Sequence, residues 1–357
     1  MDISKHLGHA DYEFFITLNR ACLKLLGIWP EPDERNGRTK WVMNTRVFTI
    51  LIIIVWSTLI PTLHCLIRIW GNITSMIDNL QYSLPILIAI MKLVLMWHKK
   101  NVLKPILKMV KEDWTRLKTE KERAIMVRCA QIARLIMIWG CFIMVLSFIL
   151  IVIFPCFGIS VRYLTNITDP GRLMPLQTYY MYNVNNSPLY EVIFVLQGFS
   201  LMTAGMIYSG TDTFMGFLVF HVCGQLENLK ARILSLGFNR FEDSLSSNIM
   251  IQGRNLSIGR LIFILTSFMN TFTHMCLYCV VGEFLVIQCD GIYMAVYQCK
   301  WYNLKPSQAR NLLIMMIQAK KPLYLTAGKL FPMTMSTFCG LLKTSGGYIS
   351  VLLAHRN

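Results

Sequence analysis

Apolar positions in this chain gather into long runs separated by short, strongly basic stretches. Residues 47–67, 80–97 and 132–157 form three such runs, and a fourth opens near Tyr190 and leaves its apolar character between His221 and Lys230. A fifth covers residues 261–287 and continues as a more polar stretch to Tyr297, and a last one fills residues 331–353. Each is close to the roughly 20 residues that cross a hydrocarbon core as a helix. The pattern predicts an all-α, polytopic membrane helical bundle.

Charge orients the bundle. Lys100, Lys104, Lys108, Lys111, Arg116, Lys118, Lys121 and Arg123 crowd residues 99–128, and Lys230, Arg232, Arg240, Arg254 and Arg260 mark residues 225–260. Cationic loops stay in the cytosol, so both read as inside. Residues 158–189 are aromatic and carry only Arg162 and Arg172 as cations, which places them outside. The glycosylation sequons at Asn72, Asn166 and Asn185 all fall on the same outer side. Residues 1–46 are polar, broken at Trp29-Pro30-Glu31-Pro32, and show no signal-peptide pattern; they are expected to be cytosolic. Lys92, within the second run, is expected to snorkel toward the basic boundary at His98-Lys99-Lys100.

Composition narrows the class. Hydrophobic residues make up 54% and charged residues 15% of the 357 positions, with a mean hydropathy of +0.48, which excludes a set of soluble domains. The net charge of +16 sits in short loops beside apolar runs and does not point to nucleic acid. The 11 cysteines have no framework spacing and read mainly as small buried hydrophobes. Only Cys65 and Cys156, near outer ends of their runs, suggest a disulfide. His64, His221 and His274 lie on apolar segments, where a core histidine outweighs a metal ligand. No phosphate loop, dinucleotide turn, zinc motif or nucleophile elbow occurs, so neither an enzyme nor a cofactor is expected.

The last run has internal order. Gly340, Thr344, Gly347, Val351 and Ala354 recur at steps of three or four and share one helical stripe. Such a stripe either packs against a neighbouring helix through small residues or lines a water-filled path.

Trp301-Tyr302, Arg310, Lys321-Pro322, Leu325-Thr326-Ala327-Gly328, Thr337-Phe338 and Lys343-Thr344-Ser345 together resemble the C-terminal signature of insect odorant receptors. Tyr278, Gly282-Glu283, Ala295 and Tyr297 extend the likeness upstream. The resemblance implies seven spans with the N-terminus inside, and here the fifth span is missing. The run at residues 261–287 joins two basic loops, although one crossing should change sides. Either about 40 to 45 residues are lost near Asn248 to Gly259, or residues 261–299 form a re-entrant hairpin around Gly282-Glu283. Loss is preferred, because Glu283 and Asp290 make two crossings costly.

Further implications of the resemblance are expectations. Residues 1–46 would be a cytosolic segment, 47–299 a transmembrane bundle with a ligand pocket, 300–332 a cytosolic anchor and 333–357 the pore-lining helix with a short outer tail. The chain would bind small volatile odorants and gate a non-selective cation channel as a heterotetramer with the odorant co-receptor, in the lipid of the olfactory neuron plasma membrane. It lacks the long loop after the fourth span that marks the co-receptor. Pocket candidates from the outer halves of the runs are Tyr82, Ser83, Phe154, Phe157, Phe194, Gln197, Gly198, Phe268 and Phe272, with ordinary core packing as the alternative for each. Thr344, Gly347, Tyr348, Val351 and Ala354 are pore candidates, Val351 as the constriction. Three other readings stand beside this one. A secondary transporter is disfavoured because no inverted repeat with paired broken helices is visible. A G-protein-coupled receptor is disfavoured by the inside N-terminus and the missing Asp-Arg-Tyr and Asn-Pro-x-x-Tyr motifs; a non-functional, exon-skipped receptor product would explain the missing span.

Overall fold

The structure, a computed structural model, describes residues 2–30, 37–116, 118–159, 172–184, 186–235, 258–299, 306–321 and 323–354. Helix dominates, as it must where apolar runs meet lipid and backbone amides have no water to bond. The helices are α1 (Asp2–Leu25), α2 (Gly37–Ile54), α3 (Ile60–Arg68), α4 (Ile73–His98), α5 (Lys100–Thr115), α6 (Glu120–Phe148), α7 (Phe154–Cys156), α8 (Leu189–Ser235), α9 (Ile258–Gln298), α10 (Pro306–Ala319) and α11 (Met335–Ala354). A short antiparallel hairpin pairs β1 (Thr326–Ala327) with β2 (Phe331–Pro332). One π-helical turn, Val55–Leu59, links α2 to α3, and another, Ile149–Ile153, links α6 to α7.

Among the described residues, five stretches are long and apolar enough to cross a membrane: Trp41–Arg68, Ser75–His98, Glu120–Cys156, Leu189–Leu234 and Phe268–Gln298. They match the first five apolar runs. Helix α9 is continuous from Ile258 to Gln298, which rules out the re-entrant hairpin around Gly282 and Glu283. Residues 236–257 separate α8 from α9 and lie outside the described residues.

Contacts divide the chain into two units. The first comprises Met1–Leu117, Leu135–Phe214 and Leu256–Thr271, the second Lys118–Arg134, Met215–Asn255 and Phe272–Asn357.

In the first unit, much of the polar N-terminal segment is a helix. Tyr12, Phe15, Ile16 and Leu23 of α1 are buried, and the Phe15 and Trp114 rings lie 5.9 Å apart. A Cβ on Gly8 would stand 2.3 Å from the Trp114 carbonyl oxygen, so only glycine allows this approach. The basic region expected to be a loop is largely α5, whose Leu103, Leu107, Val110 and Trp114 form a buried stripe at steps of three and four. Cys65 is buried, Cys156 is exposed, and both thiols are free, so the suggested disulfide is not formed.

Lys92 does not snorkel. Its ammonium lies 2.5 Å from the Asp212 carboxylate, which is only 1% exposed, and 3.8 Å from the centroid of the Tyr208 ring. Close pairing offsets the cost of holding either charge away from water, and the pair ties α4 to α8 at one register.

In the second unit, Arg232 at the end of α8 is hydrogen-bonded to Glu122 at the start of α6, and Arg128 meets Glu227 at 3.1 Å. Ile233, Ile292, Ala295, Val296 and Cys299 form a buried cluster against which Leu312, Met315 and Met316 of α10 pack. Thus α10 is held to the ends of α8 and α9 by its apolar side.

Removing one member of the Lys92–Asp212 pair leaves the other in apolar surroundings. Asp212→Ala is expected to destabilise the chain by about 3–5 kcal/mol, seen as a lowered thermal midpoint of purified protein and reduced surface delivery. The double replacement Lys92→Met, Asp212→Leu is expected to recover most of that loss. Equal damage in the single and double variants would exclude the ion pair as the cause.

Candidate functional site: a cavity beside α4 and a capped last helix

A cavity of about 90 Å³ opens in the first unit. Helix α4 contributes Gln81, Tyr82 and Pro85 to its wall. The end of α6 and the adjoining π turn add Ser147, Leu150 and Ile151, and α9 adds Thr266, Asn270 and Thr271. Two departures from regular helix border it. Pro85 lies inside α4; lacking an N–H, it cannot donate the helical bond to the Gln81 carbonyl. The π turn Ile149–Ile153 widens the neighbouring wall. The Gln81 side-chain oxygen, Oε1, is buried and has no hydrogen-bond partner.

Of the pocket candidates from sequence, Tyr82 lines this cavity and the others are placed elsewhere. Ser83 is buried, with an unpartnered hydroxyl. Gly198 lets α8 approach the π turn Ile149–Ile153: a Cβ there would meet Val152 Cγ1 at 3.2 Å. Phe154 is half-buried, and Phe157 is exposed just beyond α7. Phe268 is exposed. Phe194 packs on Tyr190, with ring centroids 6.0 Å apart, in the cluster of Met174, Tyr180, Val184 and Ile193.

Gln197 holds the outer segment against the bundle. Its Oε1 accepts from Leu176 N at 3.3 Å, while Nε2 donates to Tyr180 OH at 2.7 Å and to Thr178 Oγ1 at 3.3 Å. Asn79 Nδ2 donates to the Gln177 carbonyl at 3.3 Å and the Thr62 carbonyl at 3.2 Å, and Tyr179 N donates to the Pro61 carbonyl. Burial pushes the Tyr180 phenol up to about 12, so it stays protonated within this network. The segment around Met174, Leu176, Gln177 and Thr178 is fully buried, an inward plug rather than an open loop.

The second unit contains the arrangement around the last helix. Gly282 of α9 lies against the chain just after β2: a Cβ there would sit 2.0 Å from the Met333 carbonyl oxygen. Next to it, Glu283 Oε2 accepts from Met335 N at 3.1 Å, satisfying a donor at the start of α11 that has no partner within that helix. The carboxylate also complements the positive end of the helix dipole. The Phe272 and Phe338 rings meet edge to face at 5.2 Å, anchoring the first turn of α11. Gly328 (φ 58°) and Lys329 (φ 63°) make the hairpin turn in the left-handed region.

Beyond Phe338, α11 makes few contacts. Thr344 and Gly347 are exposed, Tyr348 is 69% exposed, and nothing lies within 4 Å of a Cβ placed on Gly340, Gly346 or Gly347. Thr344 Oγ1 donates back to the Gly340 carbonyl at 2.9 Å. Val351 and Ala354 belong to the same helix, but their side chains lie outside the described residues. Of the glycosylation candidates, Asn72 is exposed and caps α4 by accepting from Ser75 N at 3.3 Å; Asn166 and Asn185 lie outside the described residues.

Sequence reasoning passed over Gln81, Ser147, Thr266 and Asn270. A usable signal existed at Gln81 and Pro85, a polar side chain one helical turn before a proline within an apolar run.

The fold and cavity define a polytopic helical membrane protein with a small internal site. Residues 72–252 and 244–346 match the 7tm odorant receptor family, and the chain belongs to that family, whose members are receptors and not enzymes. It is similar to odorant receptor 10 of Aedes albopictus, at 36% identity over 17% of this chain and 16% of the relative. It is also similar to odorant receptor 10a of Drosophila melanogaster, at 24% identity over 29% of this chain and 25% of that one. The matched segments therefore span a quarter or less of these relatives. In fold it is similar to the insect olfactory receptor OR5 from Machilis hrabei, with a TM-score of 0.76 at 12% identity over 97% of this chain and 99% of the other. The structure of OR5 in complex with eugenol gives 0.74 at the same identity and coverage.

Because the obstacle at Gly282 is backbone, Gly282→Ala is expected to displace the hairpin at a cost of about 1–3 kcal/mol. Gly291→Ala serves as control, since its Cβ would meet only the flexible Lys230 side chain, at 3.3 Å. Thermal unfolding of both purified variants checks this. Equal midpoints would show that the approach of Met333 to α9 is not tight.

Proposed function

We propose that the chain is an odour-tuned subunit of a ligand-gated, non-selective cation channel, assembled with the odorant co-receptor as a heterotetramer in the plasma membrane of olfactory sensory neurons. The observation that carries the reading is α11. It is a 20-residue apolar helix, capped by Glu283 at its start and largely uncovered from Leu341 to Tyr348. Its small-residue stripe is available to other chains or to water. An apolar ring at Val351 would close such a path by dewetting. The cavity beside α4 is the odorant site in this reading. The eugenol complex of OR5, a protein of the same fold, supports it, as does a wall mixing apolar and polar groups.

A second reading has its own observation. The family match falls into two segments that meet at residues 244–252, inside the short connection between α8 and α9. A chain missing its fifth span would match in that way, and it would be a truncated receptor product.

One experiment separates the two. The chain is expressed with and without the co-receptor, and cation current is recorded across a broad volatile panel. Odorant-evoked current that requires both subunits is expected. No current despite surface delivery, with current restored when the fifth span of a relative is inserted near Asn248, would establish the truncated product instead.

A further inference from the structure

The geometry points to a small neutral alcohol as the ligand of the cavity beside α4, selected by a hydroxyl that donates a hydrogen bond to Gln81. The inference rests on that cavity being the odorant site.

Two observations at one residue carry it. Gln81 Oε1 is buried without a partner on the wall of the cavity. A buried acceptor left unsatisfied is costly, and a ligand able to donate removes that cost. Pro85, four residues on and on the same wall, withdraws the N–H that would bond the Gln81 carbonyl in a regular helix. The local imbalance is therefore a surplus of acceptors. Hydrocarbons, ethers, ketones and esters have no donor and would leave it in place, whereas a hydroxyl supplies one proton and keeps lone pairs for donors such as Asn270 and Ser147.

Size narrows the class further. A dry cavity of about 150 Å³ admits benzene, and this one measures about 90 Å³. At that size the ligand is a molecule of a few heavy atoms, and the wall side chains move to admit one as large as a five-carbon alcohol. Among the described residues no charged side chain lines the cavity, which favours a neutral molecule.

The test uses four compounds of matched size, 2-pentanol, 2-pentanone, 2-methoxybutane and 2-methylpentane. Each is applied to cells expressing the full chain with the co-receptor, and each is assayed for thermal stabilisation of the purified chain. Wild type is expected to respond to 2-pentanol at concentrations at least about tenfold lower than to the other three. In Gln81→Met, which keeps the side-chain length but loses the acceptor, that preference is expected to shrink to about threefold or less. A retained or improved response to 2-methylpentane in the variant would show that it still folds and opens. Equal potency of ketone and alcohol in wild type, or an alcohol preference unchanged in Gln81→Met, overturns the inference. Gating by a broad panel with none of the four compounds active also overturns it, and leaves the receptor function standing. If no volatile gates the complex, the receptor reading itself fails; stabilisation of the purified chain by 2-pentanol, lost in Gln81→Met, would still support the alcohol site.

Discussion

In a bilayer, a polar group on a spanning helix finds its partner inside the protein or not at all, and this requirement organises the chain. Lys92 reaches Asp212, 120 positions away in sequence. Ser57 and Ser200 hydroxyls meet at 2.6 Å, and the Gln197 amide is taken up by three groups of the outer segment. Apolar packing of membrane helices against one another is weakly directional, because lipid tails are as apolar as leucine. Polar contacts therefore fix which helices are neighbours and at what height.

The same requirement explains why the cavity lies beside α4. A regular helix satisfies its own backbone and leaves no reason for a polar gap. Pro85 and the π turn at Ile149–Ile153 interrupt that regularity on adjoining walls. Where the ladder is interrupted, acceptors lose partners and side chains separate. The result is a small space whose polarity is inherited from the helices that form it, so the site and its chemical preference have one origin.

The spans were legible in the sequence because continuous apolar runs need no knowledge of their neighbours. What escaped was non-local or amphipathic. Helix α5 buries Leu103, Leu107, Val110 and Trp114, but the lysines between them read as a loop. Lys92 looked like a snorkelling residue because Asp212 lies two spans on. Gln197 looked like a ligand contact, since a buried glutamine on an outer half-span has no local partner to reveal its bonds to Leu176, Thr178 and Tyr180. Choosing six of the nine pocket candidates by aromatic character selected for size, whereas lining depends on which helix face meets the gap; of the nine only Tyr82 lines this cavity. Gly282 and Glu283 were noted as part of the family signature and as a cost within the membrane, and their role became visible only when the start of α11 arrived beside them.

Helix α9 contributes to both sites. Its first half supplies Thr266, Asn270 and Thr271 to the cavity, and its second half supplies the glycine against which the Met333 carbonyl rests and the carboxylate that caps α11. No break separates the two parts, because α9 runs unbroken from Ile258 to Gln298. Under the channel reading, a ligand favours the open state only through its differential affinity for the two positions of the cavity wall. The tight backbone contact at Gly282 and the bond from Met335 N to Glu283 then leave little slack between α9 and the first turn of α11.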